Sequence, residues 1–159
     1  MSTSCTVRPA TPKDAGPAVA LLRDSITRLC IADHQNDPIT LERWLRNKTP
    51  DHFKRSTTNP QDFVVVAETE SVLCGVGSLR SSGDLELCYV LPGRQRTGIG
   101  RVLLEALEAQ ARRWGLVEIR LISTAGARSF YEQHGYVSRG ERSVPGFGVL
   151  RDYLYSKAL

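Results

Sequence analysis

Residues 93–101 read Gly93-Arg94-Gln95-Arg96-Thr97-Gly98-Ile99-Gly100-Arg101, and this turn separates a predicted strand from a predicted long helix. A glycine-rich turn that opens a helix presents unpaired backbone N–H groups and the positive end of the helix dipole, a combination that binds phosphate. Two known phosphate loops are excluded: Ile99-Gly100 stands where a Walker loop needs Lys and Ser or Thr, and Leu103 replaces the third glycine of a dinucleotide fingerprint. The stretch predicts a phosphate site, with a plain helix start as the alternative.

The patterns on both sides of this turn predict an α+β fold with a mixed sheet. Alternating apolar residues and turn signals predict strands over 6–9, 63–67, 72–79, 84–91 and 117–122, then around Tyr136 and over 149–155. Apolar spacing and capping signals predict helices that start at Thr11-Pro12 and Thr49-Pro50, and further helices over 39–47, 98–114 and 125–133. The Pro-, Gly- and Ser-rich residues 138–148 are predicted to be a loop.

The predicted strand over 84–91 alternates in hydropathy. This pattern predicts one face with Leu85, Leu87, Tyr89 and Leu91, and an opposite face with Asp84, Glu86, Cys88 and Val90.

Composition bounds the class of protein. The chain has 159 residues, 41% of them hydrophobic, and a net charge of +4, which fits one globular domain over 1–159. Four widely spaced cysteines and three isolated histidines predict reduced thiols and no metal site. Since no apolar run is long enough to span a bilayer and the N-terminus does not resemble a signal peptide, we expect a cytoplasmic protein without a membrane partner.

Two motifs resemble signatures of one family. Val90-Leu91-Pro92 with Gln95-Arg96-Thr97-Gly98-Ile99-Gly100 resembles the acyl-CoA-binding signature of the GNAT N-acetyltransferases. Ala127-Arg128-Ser129-Phe130-Tyr131-Glu132-Gln133-His134-Gly135-Tyr136 resembles the second signature of that family, and the resemblance is strongest over 63–137. It implies a GNAT-like domain: a mixed, mostly antiparallel sheet of six to seven strands, about four flanking helices, and a splay between the fourth and fifth strands.

The resemblance also implies an activity, namely transfer of an acetyl group from acetyl-CoA to a primary amine by direct attack in a ternary complex. The CoA pyrophosphate is then expected on the amides of residues 96–101, and the pantetheine arm along residues 88–90, where an amide of Cys88 or Tyr89 stabilises the oxyanion. The residues expected to bind the cofactor are Cys88, Tyr89, Val90, Gln95, Arg96, Thr97, Gly98, Ile99, Gly100, Arg101 and Ser123.

Four residues are candidates for catalysis. Tyr131 occupies the general-acid position of the resembled family, with half-buried packing as the alternative. Glu86, Asp84 and His34 are close-ranked candidates for the general base, although the two acids also fit the solvated side of a strand and His34 fits a surface loop. A covalent route through Cys88 is a further alternative.

Other functions stay open on the sequence alone. A non-catalytic acyl-CoA-binding sensor or accessory domain is the main alternative. A nucleic-acid module is disfavoured because the basic residues concentrate at the phosphate turn without exposed aromatic runs. The expected partner is a small-molecule or peptide amine. Residues 149–155 either offer a strand to a second copy, giving a homodimer, or close the sheet within one chain.

Overall fold

The computed structural model describes residues 4–159, which form seven strands and six α-helices. The strands form a single sheet in the order β1-β2-β3-β4-β5-β7-β6. The strand bounds are β1 Thr6–Pro9, β2 Asp62–Thr69, β3 Val72–Arg80, β4 Asp84–Val90, β5 Glu118–Ser123, β6 Val137–Ser143 and β7 Arg151–Ala158. All neighbours in the sheet are antiparallel except β4 and β5. The predicted mixed, mostly antiparallel sheet is confirmed.

The helix bounds are α1 Ala15–Leu29, α2 Ile31–His34, α3 Pro38–Leu45, α4 Pro50–Thr58, α5 Ile99–Arg113 and α6 Arg128–Gln133. The sequence carries capping residues before α1 and α4. Thr11 and Asp14 form a capping box at the 3-10 turn that leads into α1, and Thr49 accepts the amide of His52 at the start of α4. Of the six helices in the described residues, four have eight residues or more, which agrees with the prediction of about four.

Helices cover both faces of the sheet. α5 packs on one face through Leu103, Leu104 and Leu107, and α1 packs on the other through Leu21 and Leu22. α5 lies close to β3, because a Cβ on Gly75 would come within 2.8 Å of Ile99 and Leu103 side-chain atoms. The glycine therefore fixes the start of α5 against the sheet.

β4 and β5 separate soon after they begin. Only two residue pairs join them, Asp84 with Arg120 and Leu85 with Leu121. β4 has a bulge at Glu86, because Leu85 and Leu87 lie opposite consecutive residues of β3 and Glu86 has no partner of its own there. Beyond the bulge the strands diverge and leave an open edge on β4, which we call the β4–β5 gap. The predicted splay is confirmed.

The bulge also reverses the predicted alternation of β4, which was wrong. Cys88 and Val90 pack towards α5 together with Leu85, whereas Leu87 and Tyr89 pack towards α1. One extra residue at Glu86 shifts the side chains that follow it to the opposite faces.

A second correction concerns the C-terminal region. Residues 138–148 were predicted to be a loop, but Val137–Ser143 pairs with β7 as an edge strand. β7 in turn pairs with both β5 and β6. Of the two alternatives for residues 149–155, closure of the sheet within one chain is the one observed.

Candidate active site at the β4–β5 gap

The turn before α5 leaves backbone donors free. Gly98 is the N-cap of α5 with φ of 88°, and no side chain caps the helix. The first hydrogen bond inside the helix runs from the Val102 amide to the Gly98 carbonyl at 3.1 Å. The amides of Ile99, Gly100 and Arg101 therefore have no partner within the helix, and they carry the positive end of the α5 dipole. This end of α5 can bind an anion.

Side chains of the turn hold its shape. The Gln95 Oε1 atom accepts the Gly93 amide at 2.6 Å, and the Thr97 hydroxyl donates to the Arg94 carbonyl at 2.6 Å. Arg96 lies at φ of 60°, in the left-handed region. These contacts fix the conformation of the turn, so Gln95 and Thr97 contribute by shaping it.

Positive charge surrounds the turn. Within residues 4–159, Arg94 and Arg96 have no carboxylate within 4.0 Å, and Arg101 lies 3.7 Å from Glu105 one helical turn away. Gly100 packs closely against α6, because a Cβ there would lie 3.3 Å from the Phe130 ring. The turn thus combines free backbone amides with the guanidinium groups of Arg94 and Arg96, which suits a pyrophosphate.

The open edge of β4 offers further donors. The Leu91 amide donates to the Cys74 carbonyl of β3 at 2.9 Å. Because alternate residues of an antiparallel strand bond to the same neighbour, Tyr89 also faces β3, and the amides of Cys88 and Val90 face the β4–β5 gap. Of the two amides expected to stabilise an oxyanion, the amide of Cys88 is therefore the one that faces the gap.

Tyr131 lies on the α5 side of this gap. Its side chain is 5% exposed and meets the rings of Phe130 and Tyr136 edge-on, with centroid distances of 5.2 and 5.6 Å. Burial, and secondarily the nearby Cys88, raise the pKa of Tyr131 well above its usual 10. The phenol therefore stays protonated at neutral pH and can donate a proton.

The Cys88 thiol packs between β4 and α5, with its Sγ atom 3.9 Å from the Gly100 carbonyl. Burial raises the pKa of Cys88 to about 12. The thiolate is the nucleophilic form of cysteine, so this environment disfavours the covalent route.

Two cavities open on the α1 side of the gap. The larger, of about 730 Å³, lies between α4 and the strands β4, β5, β6 and β7, and Asp84 and Glu86 both line it. The smaller, of about 180 Å³, lies at the gap itself between Tyr89 of β4 and Ser123 of β5, and we call it the gap cavity. Glu86 lines both cavities, so it is the acid of the two that reaches the gap.

The environments of the two acids differ. Asp84 is bound by the Arg120 Nε atom at 3.3 Å and by the Ser82 hydroxyl at 2.7 Å. Glu86 is half-exposed and lies 3.6 Å from Arg80. Burial raises the pKa of Glu86, and the Arg80 guanidinium lowers it. Glu86 is therefore the less constrained proton acceptor.

His34 is part of the fold's interior. The ring is fully buried, its Nδ1 atom accepts the Asn36 amide at 3.0 Å, and its Nε2 atom lies 3.1 Å from the carbonyls of Ile26 and Thr27. Because Nδ1 accepts a hydrogen bond, Nε2 carries the proton and donates to the carbonyls near the end of α1. No nitrogen of His34 is left to accept a proton from a substrate.

Ser123 and Asp33 also line the gap cavity. Ser123 is buried, with 2% of the residue exposed, and its hydroxyl donates to the Thr124 carbonyl at 2.7 Å. Asp33 was not among the predicted site residues, and only its position in the loop after the first predicted helix hinted at a role. It is 6% exposed, and its Oδ1 atom accepts the Ala125 amide at 2.7 Å.

Comparison with known proteins assigns the family. Residues 23–146, more than half of the chain, match the family model of the acetyltransferase (GNAT) domain. The chain therefore belongs to the GNAT family of acetyl-CoA-dependent acyltransferases. No curated protein matches the chain in sequence.

Solved structures share the fold at low identity. A GCN5-related N-acetyltransferase from Rhodopseudomonas palustris is 24% identical, with 100% of this chain and 98% of that chain covered and a TM-score of 0.87. The PaiA N-acetyltransferase from Thermoplasma acidophilum, solved with coenzyme A, is 21% identical over 98% and 99% of the two chains, with a TM-score of 0.80. YncA from Salmonella typhimurium, solved with acetyl-CoA, is 20% identical over 98% and 94%, with a TM-score of 0.73.

The described residues limit two other classes of site. No helix in residues 4–159 is long and apolar enough to cross a membrane. The same residues bring together no group of three or more His, Cys, Asp or Glu side chains that would hold a metal ion.

Proposed function

We propose that the protein is an N-acetyltransferase that moves the acetyl group of acetyl-CoA to a primary amine by direct attack in a ternary complex. The observation that carries this proposal is the β4–β5 gap. Free amides line its β4 edge, a protonated phenol lies on one side, and a carboxylate-lined cavity lies on the other. Those groups match the needs of attack on a thioester: an oxyanion donor, an acid for the leaving sulfur and a base for the amine.

The donor molecule fits the free backbone groups. The amides of Ile99, Gly100 and Arg101 with the guanidinium of Arg96 bind the CoA pyrophosphate, and the free edge at Cys88 and Val90 binds the pantetheine arm as an added strand. Gly98 and Gly100 allow the phosphates to approach, whereas Gln95 and Thr97 hold the turn. Acetyl-CoA supplies the acetyl group as a thioester.

Proton transfer is assigned to two side chains on opposite sides of the gap. Glu86 accepts a proton from the amine, directly or through one water, and Tyr131 gives its proton to the sulfur that leaves. The Cys88 amide holds the carbonyl oxygen as negative charge develops on it. Asp84 has a structural role, because Arg120 and Ser82 bind it at the start of β4, where that strand pairs with β5.

The acceptor is a small-molecule or peptide amine that enters from the α1 side. The larger cavity carries charges of both signs, including Lys48 and Arg139 as well as Glu86. Arg139 donates to the Ser156 hydroxyl at 2.7 Å and has no carboxylate within 4.0 Å among the described residues, so it is free to meet an anionic group of the acceptor.

A thiol-release assay tests this function. Purified protein is mixed with acetyl-CoA and a panel of primary amines that contains putrescine, 2-phenylethylamine, lysine amide and a lysine-containing peptide. We expect free CoA and acetylated amine in equal amounts with at least one amine. Acetyl-CoA binding without any thiol release favours the alternative, a non-catalytic acyl-CoA-binding sensor or accessory domain.

Two further expectations accompany the proposal: residues 1–159 form one acyl-CoA N-acyltransferase domain, and the protein acts in the cytoplasm. Sedimentation measures whether two copies form a homodimer.

A further inference from the structure

A lysine side chain stands where the two cavities meet. Of residues 4–159, three line both the larger cavity and the gap cavity: Lys48, Glu86 and Ile122. Lys48 is half-buried and belongs to the short loop between α3 and α4. The chain therefore places a primary amine of its own beside Glu86, at the entrance to the proposed site of acetyl transfer.

The loop fixes the backbone of Lys48. The Lys48 amide donates to the Leu45 carbonyl at 3.0 Å, and the Lys48 carbonyl accepts the Arg23 Nη1 atom of α1 at 3.0 Å. The next residue, Thr49, is the N-cap of α4. The side chain thus starts from a fixed point, and its flexible four-carbon stem lets the amine rotate between the two cavities.

The amine of Lys48 has no ion-pair partner in residues 4–159. Its Nζ atom donates to Asn47 Oδ1 at 2.7 Å, whereas Glu86 lies 3.6 Å from the Arg80 guanidinium. Burial lowers the pKa of Lys48, and the charge of Glu86 raises it by a smaller amount. A larger fraction of this amine is therefore neutral, and so nucleophilic, than of an exposed lysine.

We infer that Lys48 is an internal acceptor, which the protein acetylates with its own bound acetyl-CoA. This inference rests on the proposed function and adds a modification site to it. The neutral Nζ atom attacks the thioester carbonyl, so that a C–N bond forms and the C–S bond breaks. Glu86 takes one proton from the nitrogen and Tyr131 gives one proton to the sulfur, which yields acetyl-lysine and CoA as its thiol. Exchange with solvent then restores the Glu86 carboxylate and the Tyr131 phenol.

Labelling without any added amine tests the inference. Purified protein is incubated with excess acetyl-CoA, and peptide mapping by mass spectrometry follows the acetyl group at each lysine. Lys54 is exposed on α4 and serves as the internal reference for purely chemical acetylation. Because a reactant held in place has a high effective concentration, we expect Lys48 to be labelled at least about tenfold faster than Lys54. The Lys48 rate should saturate with acetyl-CoA and should not depend on protein concentration.

Three variants separate enzymatic from chemical labelling. Lys48→Arg keeps the positive charge and should lose the fast label, whereas the matched control Lys54→Arg should keep it. Glu86→Gln should slow the labelling of Lys48 and leave that of Lys54 unchanged. Equal rates at the two lysines contradict the inference, as does a Lys48 rate that is unaltered in Glu86→Gln or that rises in proportion to protein concentration.

A measurement without acetyl-CoA tests the reactivity of the amine directly. Competitive labelling with trace acetic anhydride across a range of pH gives the midpoint at which each lysine becomes neutral. We expect a lower midpoint for Lys48 than for Lys54, because burial disfavours the charged form of Lys48. An equal or higher midpoint removes the reason for attack by this residue and overturns the inference.

Failure of this inference is distinguishable from failure of the proposed function. If the protein acetylates an amine of the panel but labels Lys48 no faster than Lys54, the inference alone is wrong. If neither an added amine nor Lys48 is acetylated, the proposed function is wrong and the inference falls with it.

Discussion

The loop between β6 and β7 is fastened to α3 by one hydroxyl group. Thr40 is fully buried, and its Oγ1 atom lies 2.8 Å from the Phe147 carbonyl, 3.0 Å from the Val149 amide and 2.7 Å from Asp37 Oδ2. The loop leads directly to Leu150 and Arg151, which line the gap cavity. Loss of the Thr40 hydroxyl is therefore expected to loosen one wall of the acceptor site.

The cost of Thr40→Val follows from these contacts. Valine has nearly the shape of threonine, so the change removes hydrogen bonds without leaving a cavity. The Phe147 carbonyl keeps the Leu150 amide at 3.1 Å, whereas the Val149 amide loses the hydroxyl that accepted it. One lost hydrogen bond and one amide left without a partner together cost about 2 kcal/mol. For a chain of this size that lowers the melting temperature by roughly 4–8 °C.

Urea unfolding and steady-state kinetics measure the two consequences. We expect Thr40→Val to lower the free energy of unfolding by this amount and to raise the amine KM, while the affinity for acetyl-CoA stays unchanged. Thr27→Val is the control, because Thr27 is exposed on α1 and its hydroxyl has no partner among the described residues. Equal stability of Thr40→Val and the unaltered protein, or a change in acetyl-CoA affinity with no change in amine KM, would refute the reasoning.

Three other changes give separate tests. Tyr131→Phe keeps the ring contacts with Phe130 and Tyr136, and we expect kcat to fall at least about tenfold with acetyl-CoA affinity within twofold; an unchanged kcat excludes the phenol as the acid. Burial raises the pKa of Glu86 above its usual 4.5, and the active carboxylate is lost as pH falls through the raised value. The acidic limb of the pH profile of kcat/KM should therefore lie above pH 4.5 and disappear in Glu86→Gln. A limb that persists in that variant points to another base. Gly148→Ala places a Cβ against the Thr40 hydroxyl at φ of 61°, and urea unfolding should show a larger loss of stability than in Thr40→Val; a smaller loss means that the loop is not fastened there.

Local signals in the sequence were sufficient for most of the fold. The capping residues Thr11 and Thr49 and the terminating Gly115 mark helix ends through hydrogen bonds within a few residues, so they predict boundaries without tertiary information. The phosphate turn is equally local, because its glycine Gly98 and the helix that follows are adjacent in the chain.

The features that the sequence did not predict depend on distant partners. The bulge at Glu86 exists only because β4 pairs with β3, and its extra residue reverses every later side chain. The burial of His34 depends on two consecutive left-handed residues, Gln35 and Asn36, which turn α2 back onto α1. Asp33 acquires its position from Ala125, which lies far along the chain. Periodicity cannot report such contacts.

The central claim is that the free amides at the start of α5 bind the pyrophosphate of acetyl-CoA. Calorimetric titration with acetyl-CoA compares Gly98→Val with Gly115→Val, since both glycines have positive φ, at 88° and 75°, at opposite ends of α5. Valine is strained at either position, so the two variants share the cost in stability. We predict salt-sensitive binding to the unaltered protein and to Gly115→Val, and loss of binding in Gly98→Val. Equal affinity of all three proteins, or no binding to the unaltered protein, would contradict the claim.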